Sequence, residues 1–171
     1  MAKANKKLTA EFLKKREKEL GQREKKSIEI NGEIYEFEVD KFFVKSKVAE
    51  LSSDISLFAT LLVEDDKYIN LDNAKVSAIS KRYIYGMLIK YFTNIEMPDN
   101  VADVLVSVKT MEDLGILGDI LKTMNEDELT VVLEEVNERL NLSIELFREK
   151  LEELNKEIEQ QQEEEAENAE E

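Results

Sequence analysis

The sequence predicts a mainly α fold with a small N-terminal β-hairpin (α+β): a compact helical domain ending in a long C-terminal helix. Three observations lead there. Five glycines and one proline in 171 residues are too few for the many tight turns of a sandwich or barrel. Apolar residues recur at alternating steps of three and four along most of the chain, which is the spacing of amphipathic helices. One stretch departs from that rhythm, with strict alternation about an Asn-Gly pair, and reads as a hairpin. The organisation that follows is a basic arm with a short helix over 1–24, a hairpin plus helical domain over 25–148, and the end of the long helix with an acidic tail over 149–171.

In the first helix Thr9 stands as N-cap and Gly21 as the residue after the C-cap, with only Phe12, Leu13 and Leu20 large and apolar between them. So sparse a stripe needs a partner surface to stay helical; the alternative is a solvated leader. The hairpin runs from Ser27 to Val39. Asn31-Gly32 suits a type I′ turn, in which both central residues need positive φ. That turn sets Ile30 opposite Glu33 and Ile28 opposite Tyr35. One side then carries Ile28, Ile30, Tyr35, Phe37 and Val39, and because an isolated hairpin is barely stable, that side is expected to lie on helices.

From about Phe42 to Val63 the residues Val44, Val48, Leu51, Ile55, Phe58 and Leu62 form one helical stripe. Glu64-Asp65-Asp66 ends it without a favourable C-terminal cation. A connector over 67–71 is expected to be extended. Asp72 or Asn73 caps a helix reaching about Thr93, whose face of Val76, Ile79, Tyr83, Met87 and Tyr91 is widened by Ile84, Leu88 and Phe92, making it the most buried element. Pro98 is placed in the first turn of the next helix, followed by Asp99. Val101, Val104, Leu105 and Val108 fit that helix, although so many valines also suit a strand. Gly115 and Gly118 read as helix breakers beside an apolar piece, Ile116 to Met124.

Asn125 with Glu128 three residues on predicts an N-cap and capping box. The stripe Leu129, Leu133, Val136, Leu140, Ile144, Phe147, Leu151, Leu154, Ile158 covers 29 residues in eight steps. The mean step of about 3.6 is that of a straight α-helix, here roughly 45–50 Å long. The Glu-rich run after Gln160 has no apolar period.

Charge is unevenly spread. Residues 1–26 hold ten Lys/Arg and four Glu, a net of +6; residues 149–171 hold eleven Glu and two Lys, a net of −9; the remainder of the chain's −15 is −12 over 27–148. No stretch approaches the ~18 apolar residues of a membrane helix. The basic start lacks the apolar run of a secretory signal, so a soluble cytosolic protein is expected.

The residues that are missing exclude whole classes of chemistry. There is no Cys and no His, hence no disulfide, no thiol nucleophile, no Ser-His-Asp triad and no common zinc ligand set. Asp65-Asp66 and Glu126-Asp127-Glu128 offer carboxylate oxygens, but they read as a helix end and a helix first turn rather than as ion sites. Gly115-x-x-Gly118 lacks the lysine and strand of a phosphate loop. Tyr83, Tyr85, Tyr91 and Phe92 at helical spacing read as core rather than as base-stacking groups. The basic arm offers cations to phosphates, but a globule of net −12 repels nucleic acid. No enzyme, catalytic residue, cofactor, metal or membrane contact is expected. Protein surface remains: the distal stripe Phe147, Leu151, Leu154 and Ile158, with Phe12 and Leu13 of the arm, is the candidate partner-binding set, against the alternative that the terminal helix packs across the domain's own core.

The order of basic arm, Asn-Gly hairpin, helix set, Lys90-Tyr-Phe-Thr-Asn-Ile-Glu-Met-Pro98 and Met124-Asn-Glu-Asp-Glu-Leu-Thr-Val-Val-Leu-Glu-Glu-Val-Asn137 resembles the small acidic tail assembly chaperones of long-tailed bacteriophages and related prophages. The resemblance covers about residues 25–145. It implies a protein in the host cell cytoplasm that binds the tape-measure protein and helps the tail-tube protein polymerise around it. It also implies that a longer, frameshifted form exists in many relatives, and it supplies no catalytic residues. A homo-oligomeric coiled-coil scaffold and an acidic antitoxin-like regulator are the competing readings. Five methionines suit a surface that adapts to varied apolar partners.

Overall fold

A computed structural model describes residues 7–65, 68, 71–143, 145, 146 and 149. The architecture is mainly α with an N-terminal two-stranded hairpin. Helix α1 (Ala10–Leu20) leads into β1 (Arg23–Ile30) and β2 (Glu33–Asp40). Then follow α2 (Lys45–Glu64), α3 (Asn73–Phe92), α4 (Val101–Asp113) and α5 (Leu117–Lys122). A last helix, α6, is continuous over 126–143. Ile144, Phe147, Leu151, Leu154 and Ile158 of the expected long stripe lie outside the described residues.

The hairpin turns where its chemistry demands. Asn31 and Gly32 have φ of 54° and 86°, and the antiparallel register pairs Ile30 with Glu33 and Ile28 with Tyr35. Only its base reaches the core, however. Phe37 and Val39 are buried, Ile28 is partly covered, and Tyr35 near the tip is exposed. Eight residues per strand at ~3.4 Å each outrun the width of the helices beneath, so the distal apolar residues project beyond them. The base is held by the segment after α3: Val39 bridges Thr93, and Asn94 N–H donates to Glu38 O at 3.0 Å. The Asn94 side-chain oxygen also accepts from Glu38 N–H at 2.7 Å.

The α2 stripe of Val48, Leu51, Ile55, Phe58 and Leu62 is buried, and α3 contributes Tyr83, Ile84, Met87, Leu88, Ile89 and Phe92 to the same core. Phe58 stacks on Tyr83 at 4.2 Å and Phe43 on Phe92 at 3.8 Å between ring centres. Asp72 caps α3 by accepting from Lys75 N–H at 2.8 Å. Tyr68 in the connector is helical and buried rather than extended. The valine-rich segment is helical, with Val104 and Val108 fully buried. Its N-cap is Asn100, whose side chain accepts from Asp103 N–H at 2.9 Å. Pro98 therefore lies before the helix and not in its first turn, because a capping side chain two residues later sets the start.

Gly115, at φ 73°, closes α4: its N–H reaches Glu112 O at 2.9 Å while Ile116 N–H reaches Met111 O at 3.0 Å. These paired bonds make a Schellman end. Gly118, in contrast, lies inside α5 and breaks nothing. Gly21 ends α1 without the left-handed φ of a glycine stop, since its φ is −83°.

Candidate protein-binding surface

Among the exposed apolar side chains, those of α1 and of α6 border clefts in the surface. Thr9 caps α1 by accepting from Phe12 N–H at 3.2 Å, and the chain passes from Gly21 through Gln22 into β1. Helix α1 nevertheless buries no residue. Phe12, Leu13 and Leu20 keep 45%, 53% and 46% of their surface. At ~100° per residue these three fall within about 100° of the helix circumference, so they form one ridge. Leu13 and Leu20 face the body across an open cleft of about 620 Å³ whose far wall includes Val44, Ser46 and Lys47 at the start of α2. That cleft is floored by a charged knot. Buried Asp40 accepts from Arg23 Nε at 2.8 Å and from Lys47 Nζ, and Lys47 Nζ also donates to Tyr91 O at 2.9 Å. One carboxylate thus ties both strands to α2 and α3.

On the other side of the start of α2, a groove of about 620 Å³ runs between α2 and α6. Phe43, Val48, Ala49, Val131 and Val132 give it an apolar floor. Asn125 caps α6 by accepting from Glu128 N–H at 3.2 Å. Glu128 does not close the expected capping box. Its carboxylate instead accepts from Phe43 N–H, which fixes the first turn of α6 to the start of α2. Val131, Leu142 and Leu146 remain 62%, 56% and 59% exposed. Helical geometry places all three within about 60° on the groove side of α6, so the apolar surface continues down this helix. Its buried side is Val132, Val136 and Leu140.

A third groove, about 630 Å³ between α3 and α6, is more polar, with Ser77, Asn137 and Asn141 along it. The hydroxyl of Ser80 lies buried there without a partner among the described residues.

The structure separates the residues singled out from the sequence. Phe12 and Leu13 stand on the exposed α1 ridge; Phe147, Leu151, Leu154 and Ile158 lie outside the described residues. The α2–α6 groove was not visible in the sequence, because it depends on two helices far apart in the chain. An unused valine at position 131, off the Leu129–Val136 stripe, was the available signal.

Titratable groups are placed for structure. Tyr91 donates to Asp54 Oδ2 at 2.9 Å; burial first, then this bond, hold its phenol well above the ordinary value. Burial, helped by the Asp54 charge, pushes Tyr83 up to about 12. Both stay protonated at neutral pH. Tyr83 and Phe92 are core residues, with Tyr85 and Tyr91 packed at its margin. Among the described residues no three Asp or Glu side chains converge as ion ligands, and no helix is long and apolar enough to cross a membrane.

Comparison with protein-family models matches residues 10–171 to YomO. The chain belongs to the YomO family. That family is associated with phages and prophages, which suggests a phage origin. The match begins at the first residue of α1 and so takes in the exposed ridge, the hairpin and the groove. Neither the curated proteins nor the solved structures contain a match.

Proposed function

We propose that the chain is a phage tail assembly chaperone that binds the tape-measure protein in the host cytoplasm and assists tail-tube polymerisation. Its work is to hold apolar helical segments of a client, with no bond made or broken. The α2–α6 groove carries this reading. It has an apolar floor, an apolar continuation through Leu142 and Leu146, and charged residues along its rim, which is how helix-in-groove recognition is built. Membership of a phage-associated family supports the setting. The absence of His and Cys from the sequence supports a role without nucleophilic or proton-relay chemistry.

Expression of the tape-measure protein from the same phage, alone and with this chain, tests the proposal. The client is expected to be insoluble alone and soluble with the wild type. Leu142→Ser/Leu146→Ser, and separately Leu151→Ser/Leu154→Ser, are expected to lose roughly 3–5 kcal/mol of association where both side chains are covered. A client equally insoluble with and without the wild-type chain would overturn the proposal.

A further inference from the structure

Charge is distributed unevenly about the α2–α6 groove. Within it, Glu128 accepts from Phe43 N–H, and Arg139 pairs with Glu135 at 2.9 Å. Outward of the apolar stripe, α6 presents Asp127, Glu134, Glu138, Glu145 and Glu149, all exposed. At ~100° per residue these five fall within about 60° of one another, on the crest next to Val131, Leu142 and Leu146. None of the five forms an ion pair among the described residues. Glu134 with Glu138, and Glu145 with Glu149, stand one turn apart, where like charges repel and weaken the helix. An apolar stripe edged by an uncompensated row of acids is the complement of a cationic partner. The opposite wall differs: from α2 the groove takes Lys45 and otherwise apolar or small side chains, Phe43, Val48 and Ala49.

We infer that the α2–α6 groove takes client helices of one kind: amphipathic, with lysine or arginine along the flank that lies against α6 and no such row on the flank against α2. The acidic row runs about 33 Å at ~1.5 Å per residue, so the matching cations recur every one or two turns of the client. Apolar contact holds the helix, while the cations decide which way round its flanks lie and turn acidic helices away. Salt therefore narrows the discrimination and leaves the apolar contact in place. The inference rests on the chaperone reading and deepens it, since it states which segments of a tape-measure chain the groove accepts.

Two synthetic helical peptides of about 20 residues, each spanning most of the row, test the inference by fluorescence anisotropy with the full chain. They share one apolar face of leucines and differ only in carrying lysine or glutamate along one flank. Wild type is expected to bind the lysine peptide roughly tenfold or more tightly than the glutamate peptide. Glu134→Lys/Glu138→Lys is expected to abolish or invert that preference. Glu29→Lys/Glu36→Lys, which changes the net charge equally at exposed positions of the hairpin, is expected to keep it. Val131→Ser/Leu142→Ser, also at exposed positions, is expected to weaken binding of the lysine peptide. Equal affinity for the two peptides overturns the inference. So does a preference that both charge variants lose alike, which is net charge alone, or binding that ignores Val131→Ser/Leu142→Ser. A groove filled by a second copy, seen as a dimer that excludes both peptides, overturns it too. If the chain keeps its client soluble while the peptides bind alike, this inference fails and the chaperone reading stands. If neither peptide binds and the client stays insoluble, both fail.

Discussion

At Gly86 the fold depends on a missing side chain. A Cβ there would come within 2.5 Å of Val104 Cγ1 and 3.0 Å of Val108 Cγ2, both on fully buried valines of α4. The absence of that carbon lets α3 and α4 approach. Gly86→Ala is expected to lower stability by about 1–2 kcal/mol, overpacking outweighing the gain in helix propensity. Gly118→Ala, in α5 with nothing near its missing Cβ, is expected to raise stability by up to about 1 kcal/mol. Urea unfolding of both variants checks the contrast, and equal shifts would refute the close-packing account. Neither role was legible in the sequence. A helical glycine read alone signals a break, and only the identity of the facing helix tells a spacer from a neutral position. Asn31-Gly32 is the opposite case, where two adjacent residues specify their own φ values and hence the turn.

Helices and hairpin differ in how far local pattern decided them. The stripes of α2 and α3 were readable because their period of three and four points one face inward, whatever lies there. The hairpin's register was readable, but its depth of insertion was not, since alternation says which side faces the helices and not where they stop. The capping box failed for a related reason: Asn125 caps through its own backbone neighbourhood, whereas Glu128 was drawn to Phe43 N–H, far away in sequence. That long-range bond makes a prediction at this scale. Glu128→Ala leaves the Phe43 amide without its acceptor and is expected to cost about 1–2 kcal/mol, while Glu128→Gln, which retains a carbonyl acceptor, should cost less. Thermal unfolding of the two variants separates a tether from a surface charge. If both lose the same, the carboxylate acts only through its charge at the helix N-terminus.

For the whole molecule, charge and burial divide the labour. The core of α2, α3, α4 and the buried side of α6 is closed and apolar, while the ridge of α1 and the groove beside α2 leave apolar surface at the outside. The sequence disclosed the first of these through a sparse stripe that had nothing to bury it. It did not disclose the groove, whose two walls are some eighty residues apart in the chain. A client helix held in that groove must shield the backbone amides around it. The most direct test is hydrogen exchange on the chain alone and in complex with the tape-measure protein. The account predicts slowed exchange over 43–49 and 131–146 on client binding, with the hairpin tip around Asn31 unchanged. Protection confined to other segments, with these two exchanging as in the free chain, would contradict it.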